Sequence, residues 1–246
     1  RSSLRPPLTL SLSHKGRGHA ALLERGAQVV GVYGGNEAAA EAMAAACDRF
    51  GDRLRLHRLD VSDFAAATAF FQALEAEWDT LDILVNNAGI RRDAVLAMMR
   101  EEDWRRVLEV NLTGGFVLSR CTLPLMLKQK YGRILFVTSP MGHLGFAGQS
   151  NYAASKAGQV GLMKSLSKEV AKRRITVNCI SPGFIATDFL EDLPEAQVKA
   201  WAEAHLAAYK VPVRVIDQPE LPKLPGTGKV DRGALRALLK GLQLEA

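Results

Sequence analysis

The run Arg133-Ile-Leu-Phe-Val-Thr138 is a short apolar stretch, and after a glycine-rich segment it gives way to residues 152–173, whose apolar positions recur with helical spacing, and then to Thr176-Val-Asn-Cys-Ile180. Strand, helix, strand in that order marks a parallel sheet, because parallel neighbours need a long crossover and a helix is the usual one. Upstream the alternation continues. Gln28–Tyr33, Leu54–Arg58 and Ile83–Asn86 read as strands, and residues 36–50, 63–78 and 102–130 as helices, with Ser62 and Asp63 placed to cap the second of these. The fold class expected is therefore α/β, a doubly wound parallel sheet. In such sheets a ligand lies beyond the carboxyl ends of the strands, where the chemistry-bearing residues below also fall.

With 246 residues, 48% of them hydrophobic and 24% charged, the chain can bury one sizeable core. It contains no apolar run of roughly eighteen residues or more and does not open on a basic-then-apolar leader, so a soluble cytoplasmic protein without membrane contact is expected. Cys47, Cys121 and Cys179 have no paired spacing and read as buried reduced thiols, and the five histidines form no cluster, so no metal site is expected. The net charge of +6 sits at the ends, +4 within residues 1–18 and +2 within 212–246. No basic stripe interleaved with aromatics crosses the neutral middle, which argues against a nucleic-acid partner.

Tyr152 and Lys156 are four residues apart at the start of a predicted helix, so they share a face and the ammonium can approach the phenol. A neighbouring cation is expected to lower the phenol's pKa and make it a proton donor to a carbonyl oxygen. Ser139 ends a strand thirteen residues earlier, across the segment 140–151, read as a glycine-rich loop able to fold over a site; its hydroxyl could polarise the same carbonyl. Asn111 sits inside a long helical pattern, where asparagine is a poor choice. Taken singly, each has a plainer reading: a decorated helix surface, a turn former, a surface amide.

Together, Asn86-Asn-Ala-Gly89, Asn111-Leu-Thr-Gly114, Ser139 with Tyr152-Ala-Ala-Ser-Lys156, and Ser181-Pro-Gly-Phe-Ile-Ala-Thr187 resemble the short-chain dehydrogenases/reductases, most of all their 3-oxoacyl-acyl-carrier-protein reductase branch. The resemblance implies a Rossmann-like fold and an NADPH-dependent reduction of a 3-oxoacyl thioester to the 3-hydroxyacyl form. It implies Tyr152 as acid/base, Lys156 as the residue that orients the ribose, Ser139 as binder of the substrate oxygen and Asn111 as anchor of a relay water. Asp60 and Val61 would touch the adenine; Asn86, Ala88 and Gly89 would turn beneath the cofactor; Pro182, Gly183, Ile185 and Thr187 would line the nicotinamide. The strand ending Val32-Tyr33-Gly34-Gly35-Asn36 has no acid until Glu37, which disfavours NAD, and Lys15 matches a basic position of the family, so NADPH is expected over NAD. Lys130 and Arg173 match positions that present cations to acyl carrier protein; as bare sequence they read equally well as solvated helix-end charges. A homo-oligomer is implied as well.

Both ends depart from the family. Ser11-Leu-Ser-His-Lys-Gly-Arg-Gly18 keeps Gly16 and Gly18 of the expected phosphate loop but has Leu12 in place of its first glycine, and the helix that follows is short. Residues 1–18 are thus an atypical N-terminal segment, with only a weak strand at 8–13, and 19–205 an incomplete reductase domain. From 206 to 246 a foreign tail replaces the last strand: Leu221-Pro-Lys-Leu-Pro-Gly-Thr-Gly-Lys-Val-Asp-Arg232 resembles the end of the AMP-forming acyl-CoA synthetases, with Lys229 at the adenylation lysine. Two other functions follow from these ends, a crippled or fused reductase paralogue with little cofactor binding and a fragment of an acyl-activating ligase.

Overall fold

The computed structural model describes residues 8–12, 17–182 and 234. The chain divides into two compact units, Arg1–Gly183 and Phe184–Ala246. Everything below belongs to the first; of the second, Ala234 is helical and exposed.

Six strands form one parallel sheet in the order β3-β2-β1-β4-β5-β6: β1 (Leu8–Leu12), β2 (Gln28–Tyr33), β3 (Leu54–Arg58), β4 (Ile83–Asn86), β5 (Gly132–Val137) and β6 (Ile175–Ile180). The chain winds outward from β1 to β3, returns, and winds the other way from β4 to β6, which leaves a switch point between β1 and β4. The segment read as a weak strand takes that central place: Leu8–Leu12 pairs in register with β2, Leu10 opposite Val30, and with β4, Leu10 opposite Leu84. A central parallel strand is buried on both faces and draws its stability from its neighbours, so a mediocre local pattern suffices.

Side chains alternate across the sheet and feed two cores. On one face Val29 meets Leu23 of α1 (Arg17–Glu24) and Met43 of α2 (Glu37–Ala46). On the other, Val30, Val32, Leu84, Ile134, Phe136 and Val177 meet α3 (Phe64–Glu77), α5 (Gly114–Gln129) and α7 (Ser150–Val170) through residues such as Phe71, Leu118 and Leu166. The Asn36 and Asp63 side chains cap α2 and α3, accepting from the Ala39 and Ala66 amides at 3.0 and 2.9 Å.

Three helical expectations are corrected. The helix read over 36–50 stops at Ala46 and continues as a 3-10 segment, Asp48–Arg53, kinked at Gly51, whose φ is +55°. The long helix 102–130 is two helices, α4 (Glu101–Leu108) and α5, joined by a π turn at Glu109–Thr113. The segment read as a loop before Tyr152 holds a short helix, α6 (Met141–Leu144), packed against α7. Cys47 is buried as expected, whereas Cys121 and Cys179 are only partly so. The α4–α5 run is 29 residues long and its most apolar stretch, at mean hydropathy 1.2, is apolar enough to cross a membrane, but 56% of that stretch is buried inside the protein, as in a core helix.

Candidate active site

β5 delivers Ser139 to the carboxyl edge of the sheet, and the first two turns of α7 deliver Tyr152 and Lys156 to the same place. Ser139 ends the strand because its carbonyl and hydroxyl accept the Gly142 and Met141 amides, at 3.0 and 3.3 Å, and so start α6. α6 then lies so close to α7 that a Cβ on Gly142 would come 2.9 Å from the Ala157 amide nitrogen and from the Lys156 carbonyl carbon. That contact locks the Ser139 turn to the Tyr152 helix. The Tyr152 phenol is hydrogen-bonded with the Ser139 side chain, which lowers its pKa, but burial is the larger effect and holds it above the ordinary tyrosine value; Arg91 pulls it down and Asp93 pushes it up.

The expectation that Lys156 depresses the tyrosine is therefore corrected. Its ammonium donates to the Val137 carbonyl at 2.7 Å and stands 5.6 Å from the centre of the Tyr152 ring. Only 4% exposed, Lys156 is itself the more perturbed group: burial lowers its pKa to about 8, an effect that the nearby Cys179 thiol partly offsets. It is still cationic at neutral pH.

Asn111, 1% exposed, stands in the π turn. Its side-chain amide accepts from the Ile90 amide at 2.8 Å and donates to the Ile90 carbonyl at 3.0 Å and to the Ser155 hydroxyl at 3.1 Å. Its own carbonyl accepts from Gln159 at 2.6 Å. The extra residue of a π turn breaks the regular ladder and lets a side chain take a main-chain carbonyl, which explains an asparagine in a helix. The amide thus clamps the loop after β4 to α7.

The switch point meets the requirements of a nicotinamide dinucleotide. Asn86, 2% exposed, ends β4 and donates to Ser119 at 3.2 Å while its buried carbonyl oxygen has no hydrogen-bond partner. At Gly89 a Cβ would sit 3.5 Å from the Asn111 carbonyl oxygen and 3.6 Å from the Lys156 nitrogen, filling space that lies between the β4 loop and the cation. Ala88 packs on the main core between them. Gly18 lies in the first turn of α1. Pro182 follows β6 at the same edge; Lys15, Gly16, Gly183, Ile185 and Thr187 lie outside the described residues. After β3, the Val61 side chain is buried, and the Asp60 carboxylate accepts from Ser62 and from Arg106 at 2.7 Å. Burial opposes its ionisation, but these hydrogen bonds outweigh it and hold Asp60 below the usual carboxylate range.

Lys130 and Arg173 do not join this cluster. They end α5 and the 3-10 turn after α7, immediately before β5 and β6, and so lie at the amino edge of the sheet, opposite the carboxyl edge that carries Ser139. Sequence reading missed the polar stripe Asn151, Ser155 and Gln159, all buried at i, i+4 and i+8 of α7. Three polar residues on one helix face beside the Tyr152–Lys156 pair were the signal for it. It also missed Arg91, Asp93 and Gln149.

The model of the family described as short chain dehydrogenase matches residues 16–198. The chain is 45% identical over 176 residues to the 3-oxoacyl-[acyl-carrier-protein] reductase FabG of Vibrio cholerae, covering 72% of this chain and 70% of that one. The FabG reductase of Escherichia coli is 43% identical over the same shares. Nodulation protein G of Rhizobium sp. (strain N33) is 42% identical over 75% of this chain and 74% of its own. With a matching fold and a serine, tyrosine and lysine converging beside the switch point, the chain belongs to the short-chain dehydrogenase family and is an NAD(P)-dependent oxidoreductase.

Proposed function

We propose that the chain reduces a 3-oxoacyl thioester, carried on acyl carrier protein or coenzyme A, to the 3-hydroxyacyl form with NADPH. The observation that carries the reading is the contact of the Ser139 hydroxyl with the Tyr152 phenol next to the buried Lys156 cation. When bound, the dinucleotide supplies the hydride. Ser139 donates a hydrogen bond to the ketone oxygen and Tyr152 gives that oxygen its proton as charge develops on it. Because burial raises the phenol's pKa, Tyr152 holds that proton throughout the neutral range. Lys156 orients the ribose, Asn111 keeps the loop under the cofactor in register with α7, and Asn86, Ala88 and Gly89 form the turn beneath it. Asp60 and Val61 border the adenine, with Pro182, Gly183, Ile185 and Thr187 on the nicotinamide side.

Support for NADPH over NAD comes from β2, which ends on Tyr33 with no acid; the first one, Glu37, accepts from the Tyr33 hydroxyl at 3.0 Å. Lys15, Gly16 and Gly18 would meet the phosphates. The substrate class rests on the names of the FabG relatives. A carrier protein held by Lys130 and Arg173 would bind at the amino edge, so those cations serve a site across an interface in a homo-oligomer, in the cytoplasm. The test is a fluorescence titration with NADPH followed by acetoacetyl thioester, with absorbance recording its oxidation. Saturable binding and turnover support the reading. No binding at millimolar NADPH, or oxidation undiminished in Tyr152→Phe, overturns it.

A further inference from the structure

β2 and β3 run side by side to the carboxyl edge of the sheet, where Tyr33 stands opposite Arg58. Opposite residues of a parallel pair point to the same face. The same strands show it two residues earlier, where a Cβ on Gly31 would meet the side chain of its partner Leu56 at 2.7 Å. That face carries α2, because the Tyr33 hydroxyl donates at 3.0 Å to Glu37 in the first turn of that helix. Arg58 therefore leaves the sheet beside Tyr33, across a strand spacing of about 4.8 Å that an arginine side chain can span. It is exposed and makes no hydrogen bond or ion pair among the described residues. The arginines around it are engaged elsewhere: Arg53 with the Leu23 carbonyl at 2.8 Å, Arg55 with Glu77, and Arg106 with Asp60 at 2.7 Å. Past Tyr33 the chain turns through Gly34 and Gly35, both exposed, and a Cβ on either would meet nothing within 4 Å. An uncommitted cation thus stands beside an open turn at the end of β2, where such sheets hold the adenosine ribose.

We propose that Arg58 selects NADPH over NADH by pairing its guanidinium with the phosphate on the adenosine ribose. The inference rests on the NADPH reading above and names the side chain that makes the choice. A guanidinium fork matches a phosphate through two parallel N–H donors, and the paired glycines leave the room that the extra phosphate needs. The charges that act on the Tyr33 hydroxyl at this place are Glu37 and Glu41 of α2 and Arg58. Glu37 is held by the phenol, and neither acid pairs with Arg58, so the guanidinium is left for a ligand.

The two cofactors differ only in that phosphate, which makes the test. Nicotinamide fluorescence gives a Kd for each with the purified chain, and no turnover is needed. In Arg58→Met the Kd for NADPH rises about ten- to a hundredfold while that for NADH stays within about twofold, the effect of losing a charged hydrogen-bonded pair from one ligand alone. Arg58→Lys, which keeps the charge and loses the fork, falls between Arg58→Met and the parent. Displacement of NADPH by adenosine 2′,5′-bisphosphate weakens in the same order, and displacement by adenosine 5′-monophosphate does not change. Equal weakening of NADPH and NADH would make Arg58 a support for the shared adenosine, and an unmoved NADPH Kd would leave it a solvated charge; either result overturns the proposal. Should Arg58→Met fail to fold, Arg58→Gln removes the same charge and is read in the same way. A parent that binds the two cofactors equally, or binds neither, fails the NADPH reading and this inference together, whereas a parent preference that survives Arg58→Met fails Arg58 alone.

Discussion

Two side chains of α7 divide the work of the site. Tyr152→Phe removes one oxygen and the proton it carries, so reductase activity is expected to fall about a hundred- to ten-thousand-fold while NADPH fluorescence titrates as in the parent; full activity in this variant would contradict the assignment. Lys156 has the opposite character, a cation whose burial costs stability. With the folded pKa at about 8 against 10.5 ordinarily, the unfolded chain binds more protons between those values, so this residue's penalty is complete below about 8 and is relieved as pH rises to 10.5. The parent should gain on the order of 3 kcal/mol relative to Lys156→Met across that window, read by urea unfolding at its two ends. A difference that stays flat with pH would mean that the ammonium is not desolvated. At this scale the convergence was legible: spacing and resemblance marked Ser139, Tyr152 and Lys156, and the structure brings the three together. The direction of the tyrosine shift was not, because the burial that raises it comes from neighbours distant in sequence.

Among the elements, α6 matters beyond its length of four residues. It was invisible to a periodicity reading because Met141-Gly-His-Leu144 is too short to show a period and is framed by Pro140 and Gly145. Its contact with α7 is main chain against main chain at Gly142. Gly142→Ala should therefore force the two apart, costing about 1–3 kcal/mol and displacing Ser139, with a lowered Tm and a loss of activity steeper than the loss of fold. An unchanged Tm would mean that the helices separate freely. The π turn between α4 and α5 escaped for a different reason. Sequence marks Asn111 as a misfit, but only the third dimension supplies Ile90, Ser155 and Gln159 as its partners. Strands fared better: β2, β3 and β4 run over the residues that their apolar pattern gave.

For the molecule as a whole, the order of its six described strands explains how residues spread from Asn86 to Pro182 reach one edge: Asn86, Ser139 and Pro182 lie at or just past the carboxyl ends of β4, β5 and β6, beside the switch between β1 and β4 where such sheets take their ligands. The doubly wound layout was readable from alternation alone. The central place of Leu8–Leu12 was not, since a strand buried on both faces need not show a pattern of its own. A ligand that binds only the folded sheet should stabilise it by mass action, by about 2.7 kcal/mol at a hundredfold excess over its Kd, so NADPH is expected to raise Tm more than NADH at equal concentration. Equal shifts would remove the preference for the phosphorylated cofactor. The most direct test of the central claim is the rate of NADPH oxidation by the purified chain with acetoacetyl thioester, measured beside Tyr152→Phe. The account predicts turnover that the substitution abolishes with cofactor binding intact; NADPH bound but never oxidised by a 3-oxoacyl thioester would contradict it.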